Sequence, residues 1–98
     1  DVHTGVFLDK TRTTTLTRSA NEETTVCPSR GFNWTWEMVW LNDCEYLHIF
    51  KKDLSTSPHL YRIGDTLRVK ILQVFSDKYN WECWYKNIHL KGFNYRSN

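Results

Sequence analysis

Short runs of alternating polar and apolar residues recur along the chain, and turn-forming residues separate them. Successive side chains of a strand point to opposite faces, and β-branched and aromatic residues favour strands. No segment keeps an apolar period of about 3.6 residues over three helical turns. The pattern therefore predicts an all-β domain, either a sandwich or a barrel. Residues 13–17 and 24–27 are runs rich in β-branched residues, and residues 36–40, 67–71 and 81–85 alternate.

The length and charge of the chain limit what it can be. Its 98 residues are the size of one small domain, so we expect a single domain over residues 1–98. Residues 1–10 show the weakest pattern, as expected of a loose segment. The net charge of +2 is too small to indicate a nucleic-acid partner. No apolar run is long enough to span a bilayer, so we expect no membrane partner.

Two cysteines and one tryptophan separate the possible architectures. Cys27, Trp40 and Cys83 follow one another at the spacing found in an immunoglobulin domain, where a Trp packs on a disulfide between two sheets. This spacing predicts an immunoglobulin-like β-sandwich of two antiparallel sheets with a Cys27–Cys83 disulfide. Residues 62–74 also resemble a strand of the nucleic-acid-binding OB-fold barrel. That barrel gives no reason for the two cysteines, which favours the sandwich.

The third cysteine and a glycosylation signal point to an oxidising compartment. An odd cysteine in such a compartment is either a free thiol or a link to another chain. We expect Cys44 to form a disulfide-linked homodimer, and a monomer with a free Cys44 is the alternative. Asn33-Trp34-Thr35 is an N-glycosylation sequon, which favours a secreted, extracellular protein with sugar on Asn33.

Nothing in the sequence indicates catalysis. The four histidines are scattered without metal-ligand spacing, and neither a Gly-rich phosphate loop nor a nucleophile elbow is present. We therefore expect no enzyme, no metal and no cofactor.

Strand alternation predicts one binding face. If Trp40 and Cys83 point into the core, Trp36 and Met38 point inward too, and the residues that alternate with them point outward. The strands that carry them are neighbours in one immunoglobulin sheet, so their outward side chains would form a protein-binding surface with the next strand. This predicted face comprises Thr35, Glu37, Val39, Tyr46, His48, Glu82, Trp84 and Lys86.

The run SRGFNWTWEMVWLNDCEYLHI, residues 29–49, resembles the interleukin-18-binding proteins, secreted single-immunoglobulin-domain decoys of mammals and poxviruses. Trp40-Leu41 matches the Trp-Leu of that family, and Tyr46-Leu47-His48-Ile49 aligns without a gap with its Phe-led run. The segments TLRVKILQV and NWEC are similar to the poxvirus members. The resemblance covers about residues 24–86.

The resemblance implies a viral immune-evasion protein that sequesters interleukin-18 and blocks its receptor, with Tyr46 as the anchor. The chain departs from the family in lacking an early cysteine for a second pair. Val39 also stands where the family has an aromatic residue, and His48 where it has an acid. The alternative is an immunoglobulin domain of a receptor, adhesion or histocompatibility-like protein, because residues 27–43 are similar to its Cys, Gly-Phe and Trp pattern.

Overall fold

The computed structural model describes residues 2–56 and 61–97. Every one of the five predicted runs overlaps a strand, so the all-β prediction is confirmed. Within the described residues, no helix is long and apolar enough to cross a membrane. The strands are β1 (Gly5–Asp9), β2 (Thr15–Arg18), β3 (Glu22–Cys27), β4 (Phe32–Asn42), β5 (Glu45–Asp53), β6 (Thr66–Val74), β7 (Lys78–Tyr85) and β8 (Ile88–Arg96), with a short 3₁₀ helix at Pro28–Arg30.

The eight strands form one closed antiparallel barrel, so the predicted immunoglobulin-like sandwich is wrong. Each strand pairs with the next one in sequence, and β8 returns to pair with β1 through Phe7–Arg96, Leu8–Tyr95 and Asp9–Asn94. Alternation and turn spacing are common to sandwiches and barrels, and closure depends on this long-range pairing, which leaves no local sequence signal. The cysteine spacing therefore favoured the sandwich, although the structure is a barrel.

The inward side chains fill the barrel because alternate residues of each strand face the same way. In β6, for example, Leu67, Val69 and Ile71 are buried, whereas the residues between them are exposed. The inward position predicted for Trp36 and Met38 is also observed. The core contains Phe7, Trp36, Met38, Tyr46, Phe50, Leu67, Val69, Ile71, Tyr79, Cys83 and Tyr85.

The connections define two ends of the barrel. We call the end with the β2–β3, β4–β5 and β6–β7 connections the lower end, and the opposite end the upper end. The residues that precede β1 close the lower end: Val2 is buried, and its carbonyl oxygen accepts a hydrogen bond of 2.7 Å from Nη1 of Arg18. Beside it, the rings of His3 and Trp40 are 4.1 Å apart.

Candidate ligand-binding site

A buried polar network lies inside the lower half of the barrel. Arg18 and Glu23 are direct partners in the β2–β3 pair, so both face inward. Nε and Nη2 of Arg18 donate to Oε1 of Glu23 at 3.1 and 2.7 Å. Nη2 also donates to the hydroxyl of Tyr79, which accepts a second hydrogen bond from Nδ2 of Asn94, both at 2.9 Å. The network thus joins β2, β3, β7 and β8 through the interior.

The charges of this network depend on one another. Burial by itself raises the pKa of the Glu23 carboxyl, but the charges of His48 and Arg18 outweigh it and lower the pKa to about 2. Burial alone lowers the pKa of Arg18, yet Tyr46, Glu23 and Tyr79 raise it above its usual value. Glu23 is therefore a carboxylate and Arg18 a cation at neutral pH.

His48 extends the network to β5. Its cross-strand partner is Met38, an inward residue, so the imidazole also points inward. Nε2 lies 2.7 Å from Oε2 of Glu23, a close ionic contact without the alignment of a full hydrogen bond. The ring stacks on Trp36, with centroids 4.0 Å apart and planes inclined by 11°. These two contacts fix the orientation of the imidazole.

Above the network, the barrel encloses a cavity of about 270 Å³. Glu23, His48 and Asn94 of the network contribute to its floor, and aromatic and aliphatic side chains form its walls. Aromatic rings dominate because Trp34, Trp36 and Tyr61 all project into the same upper half. The lining residues are Asp9, Thr14, Leu16, Glu23, Thr25, Trp34, Trp36, Tyr46, His48, Tyr61, Leu67, Val69, Trp81, Cys83, Leu90 and Asn94.

The aromatic walls hold one another in place. Tyr61 meets Trp34 edge to face at 5.4 Å and Trp36 at 5.1 Å. Trp36 also packs against Phe50, with centroids 4.9 Å apart. Edge-to-face pairs at such distances are favourable beyond the area they bury. Contacts among the side chains themselves thus hold each ring in place, so the cavity is formed without a ligand.

A gap in strand pairing opens the cavity to solvent. β1 pairs with β8 only at residues 94–96, so residues 88–93 of β8 have no strand partner on that side within the part of the chain that the structure describes. Leu90 faces inward opposite Cys83 and lines the cavity, yet it is 51% exposed. A shallower groove of about 250 Å³ continues from this opening past Lys10 and Lys91.

Trp81 and Gly92 shape the wall beside the opening. They are direct partners in the β7–β8 pair, and the indole ring lies across the glycine. A Cβ at Gly92 would come within 2.6 Å of Cζ2 of Trp81. Only glycine therefore lets the ring lie flat against β8, where Trp81 contributes to both the cavity and the groove.

The structure divides the predicted binding face between the inside and the outside of the barrel. Tyr46 and His48 are inside, 4% and 8% exposed, because their cross-strand partners Trp40 and Met38 also face inward. Both of them line the cavity instead of a surface patch.

The other predicted residues are on the outer surface, in two separate groups. Thr35, Glu37 and Val39 are on β4, whereas Glu82 and Trp84 are on β7, followed by Lys86 in the turn. β5 and β6 lie between β4 and β7, so the groups do not form one patch. Trp84 packs between Arg68, whose guanidinium carbon is 4.4 Å from the ring centre, and His89, stacked at 5.1 Å.

All three cysteines are free thiols, so the structure contains no Cys27–Cys83 disulfide. β3 and β7 are on opposite sides of the barrel, with three strands between them on either path. The facing-sheet geometry that predicted the bond is therefore absent. Cys44 is exposed in the β4–β5 turn. Asn33 of the sequon is on β4 opposite Val26, and its backbone N–H donates to the Ser55 hydroxyl at 2.9 Å.

Sequence reasoning missed Arg18, Glu23 and Asn94, the polar residues of the interior. In the sequence they resemble ordinary solvent-facing residues of strands, and only the cross-strand register turns them inward. Glu23 had one available signal, since it has the parity of Thr25 and Cys27 within one β run. Among the described residues, no group of three His, Cys, Asp or Glu side chains could hold a metal ion.

Fold and site together define an eight-stranded up-and-down β-barrel with an open internal cavity. Comparisons of the chain with protein-family models, with curated proteins and with solved structures find no match.

Proposed function

We propose that this protein binds one small, largely aromatic molecule inside the upper half of its barrel. The cavity of about 270 Å³, with aromatic walls and a polar floor, carries the proposal. Protein interiors are close-packed and leave few spaces larger than a water molecule. A cavity of about 150 Å³ already admits benzene. The space here suits one ring system with a short substituent.

The architecture supports the same proposal by analogy. A barrel of eight strands is just wide enough to be filled by side chains or to hold one small ligand, as in lipocalins and streptavidin. In this barrel, side chains fill the lower half, and the upper half remains open beside Leu90. Apolar pockets with a few convergent polar groups are the usual form of a small-molecule site.

The test is to block the opening. Leu90→Trp places a larger side chain at the mouth of the cavity, whereas Leu72→Trp makes the same substitution at an outward residue that is 46% exposed and does not line it. The probe is 2-phenylethanol, a neutral ring with a short chain, and binding is measured by ligand-observed NMR. We expect the wild type and Leu72→Trp to bind alike, and Leu90→Trp to lose about tenfold in affinity or more.

Two results would contradict the proposal. One is equal affinity of the two tryptophan variants, which would place the probe outside the cavity. The other is the absence of binding by the wild type to 2-phenylethanol and to its charged analogues.

Sequestration of interleukin-18 and secretion from the cell stay predictions. The interleukin-18 prediction depends on Tyr46 as an exposed anchor, and that side chain is inside the barrel. We therefore base no further step on it. A titration of the protein with interleukin-18 remains its direct test.

A further inference from the structure

We infer that the ligand of this cavity is an organic cation, a small aromatic molecule with a protonated amine. The inference rests on the proposed function and names the chemical class of its ligand. Three features of the cavity support it: the charges of the lining, the aromatic walls, and Nδ1 of His48 at the polar floor.

The charges of the lining favour a cation. Among the described residues that line the cavity, two are carboxylates, Asp9 and Glu23, and none is Lys or Arg. Arg18, which does not line the cavity, forms an ion pair with Glu23 and balances its charge. Asp9 is then the lining carboxylate that has no ion-pair partner among the described residues. Partial burial raises the pKa of the Asp9 carboxyl, but hydrogen bonds from Thr11, Thr13 and Thr14 outweigh this and lower it. Asp9 is therefore ionised at neutral pH.

The aromatic walls act in the same direction. The face of an aromatic ring carries partial negative charge and attracts an ammonium group, most strongly when the ring is Trp. Trp34, Trp36 and Trp81 are all part of the lining. An anion in this space would meet aromatic rings and carboxylates, and no Lys or Arg among the described lining residues would compensate its charge.

His48 supplies a hydrogen-bond acceptor. At the 2.7 Å separation from Oε2 of Glu23, Nε2 must carry the proton, because two lone pairs would repel one another. The second ring nitrogen, Nδ1, makes no hydrogen bond to any residue that the structure describes. In the neutral imidazole that nitrogen is an acceptor, and in this form it suits a ligand that donates N–H, as a protonated amine does.

Two lysines lie outside the cavity, beside its opening. Lys10 and Lys91 border the outer groove and are exposed to solvent. Exposed charges are screened by salt over about 10 Å at 0.1 M ionic strength, whereas partly buried charges are screened much less. At physiological salt, Asp9 and the ring faces therefore determine the sign of charge that the cavity prefers.

The experiment compares three probes that share a phenethyl group and differ in charge. They are 2-phenylethylamine, a cation; 2-phenylethanol, neutral; and 3-phenylpropionate, an anion. We expect the amine to bind about tenfold more tightly than the alcohol, and the anion to bind most weakly. Leu90→Trp should weaken amine binding and Leu72→Trp should not, which places the amine in the cavity.

Two variants locate the preference within the site. Asp9→Asn keeps an acceptor for the backbone of Thr13 and Thr14 but removes the charge, so amine affinity should fall about threefold to tenfold with alcohol affinity unchanged. Asp43→Asn, in the exposed β4–β5 turn at the opposite end, is the matched control and should change neither. His48→Gln should weaken the amine more than the alcohol.

The outcomes separate the two proposals. Equal affinity for the three probes, blocked by Leu90→Trp, would overturn the cation inference and leave the proposed function intact. Tighter binding of the anion would also overturn the inference. If none of the three probes binds the wild-type protein, the proposed function fails together with the inference.

Discussion

The lower and upper halves of the barrel interior are built in opposite ways. The lower half contains the buried ion pair and is filled: Arg18 and Glu23 are 3% and 1% exposed, and Val2 closes the end. The upper half is mainly aromatic and contains the cavity, beside the stretch of β8 that lacks a partner on one side. The half that contains the buried ion pair is thus closed to solvent, and the mainly aromatic half is open to it.

This difference separates stability from binding. A buried ion pair contributes little net stability compared with apolar packing, but the loss of one partner leaves an uncompensated charge. The lower half is therefore sensitive to substitution of its charges. The upper half already leaves space unfilled, so its substitutions should act on the ligand more than on folding.

The largest effect is expected for Glu23→Gln. This change leaves Arg18 buried without its counter-charge, and breaking a buried pair costs about 3–5 kcal/mol of unfolding free energy. Glu22→Gln is the matched control, because the neighbouring Glu22 pairs with Lys51 on the exposed surface at 3.0 Å. Urea denaturation should show a large loss for Glu23→Gln and little change for Glu22→Gln. Equal losses would contradict the importance of the buried network.

Acid should weaken the lower half first. Because folding lowers the pKa of Glu23 from 4.5 to about 2, its stabilisation is present above pH 4.5 and is lost as the pH falls towards 2. The shift corresponds to about 3 kcal/mol. The ¹³C chemical shift of the Glu23 carboxyl should titrate with a midpoint near 2 in the folded protein. A midpoint near 4.5 would show that His48 and Arg18 do not stabilise the carboxylate.

A smaller effect is expected at the wall of the cavity. Gly92→Ala places a Cβ within 2.6 Å of the Trp81 ring, which must move. Overpacking of this kind costs about 1–3 kcal/mol. Because Trp81 lines the cavity, the affinity for 2-phenylethylamine should change as well. Lys70→Ala, at an exposed residue of β6 that lines neither the cavity nor the groove, is the control. An unchanged affinity in Gly92→Ala would remove Trp81 from the site.

The strands could be predicted from the sequence, because alternation depends only on neighbours along the chain. The inward position of Trp36 and Met38 followed from the same rule and is observed. Closure of the barrel could not be predicted, since the β1–β8 contact spans three residue pairs between the two ends of the chain. Cys27 and Cys83 gave a misleading signal, because their spacing matches an immunoglobulin domain although their strands are far apart.

The cavity could not be predicted for a related reason. Tyr46 and His48 were assigned to the outside as an extension of the predicted face onto the next strand, without a register between the two strands. The observed pairing with Trp40 and Met38 places both side chains inside. A shift of one residue in register moves every side chain of a strand to the other face. Glu23 was missed because its burial depends on Arg18, a partner that only the folded β2–β3 pair supplies.

The smallest effect on folding and binding is expected at Cys44, where the predicted homodimer is still to be tested. Cys44 is exposed at the lower end, whereas the cavity opens in the upper half, so a symmetric disulfide would leave both cavities accessible. Cys44→Ser should therefore preserve stability and amine affinity. On a non-reducing gel it should abolish a band at twice the 11.8 kDa chain mass. Cys27→Ser, at a buried thiol, should retain that band. A wild-type protein that runs only as a monomer with a titratable Cys44 thiol would contradict the dimer.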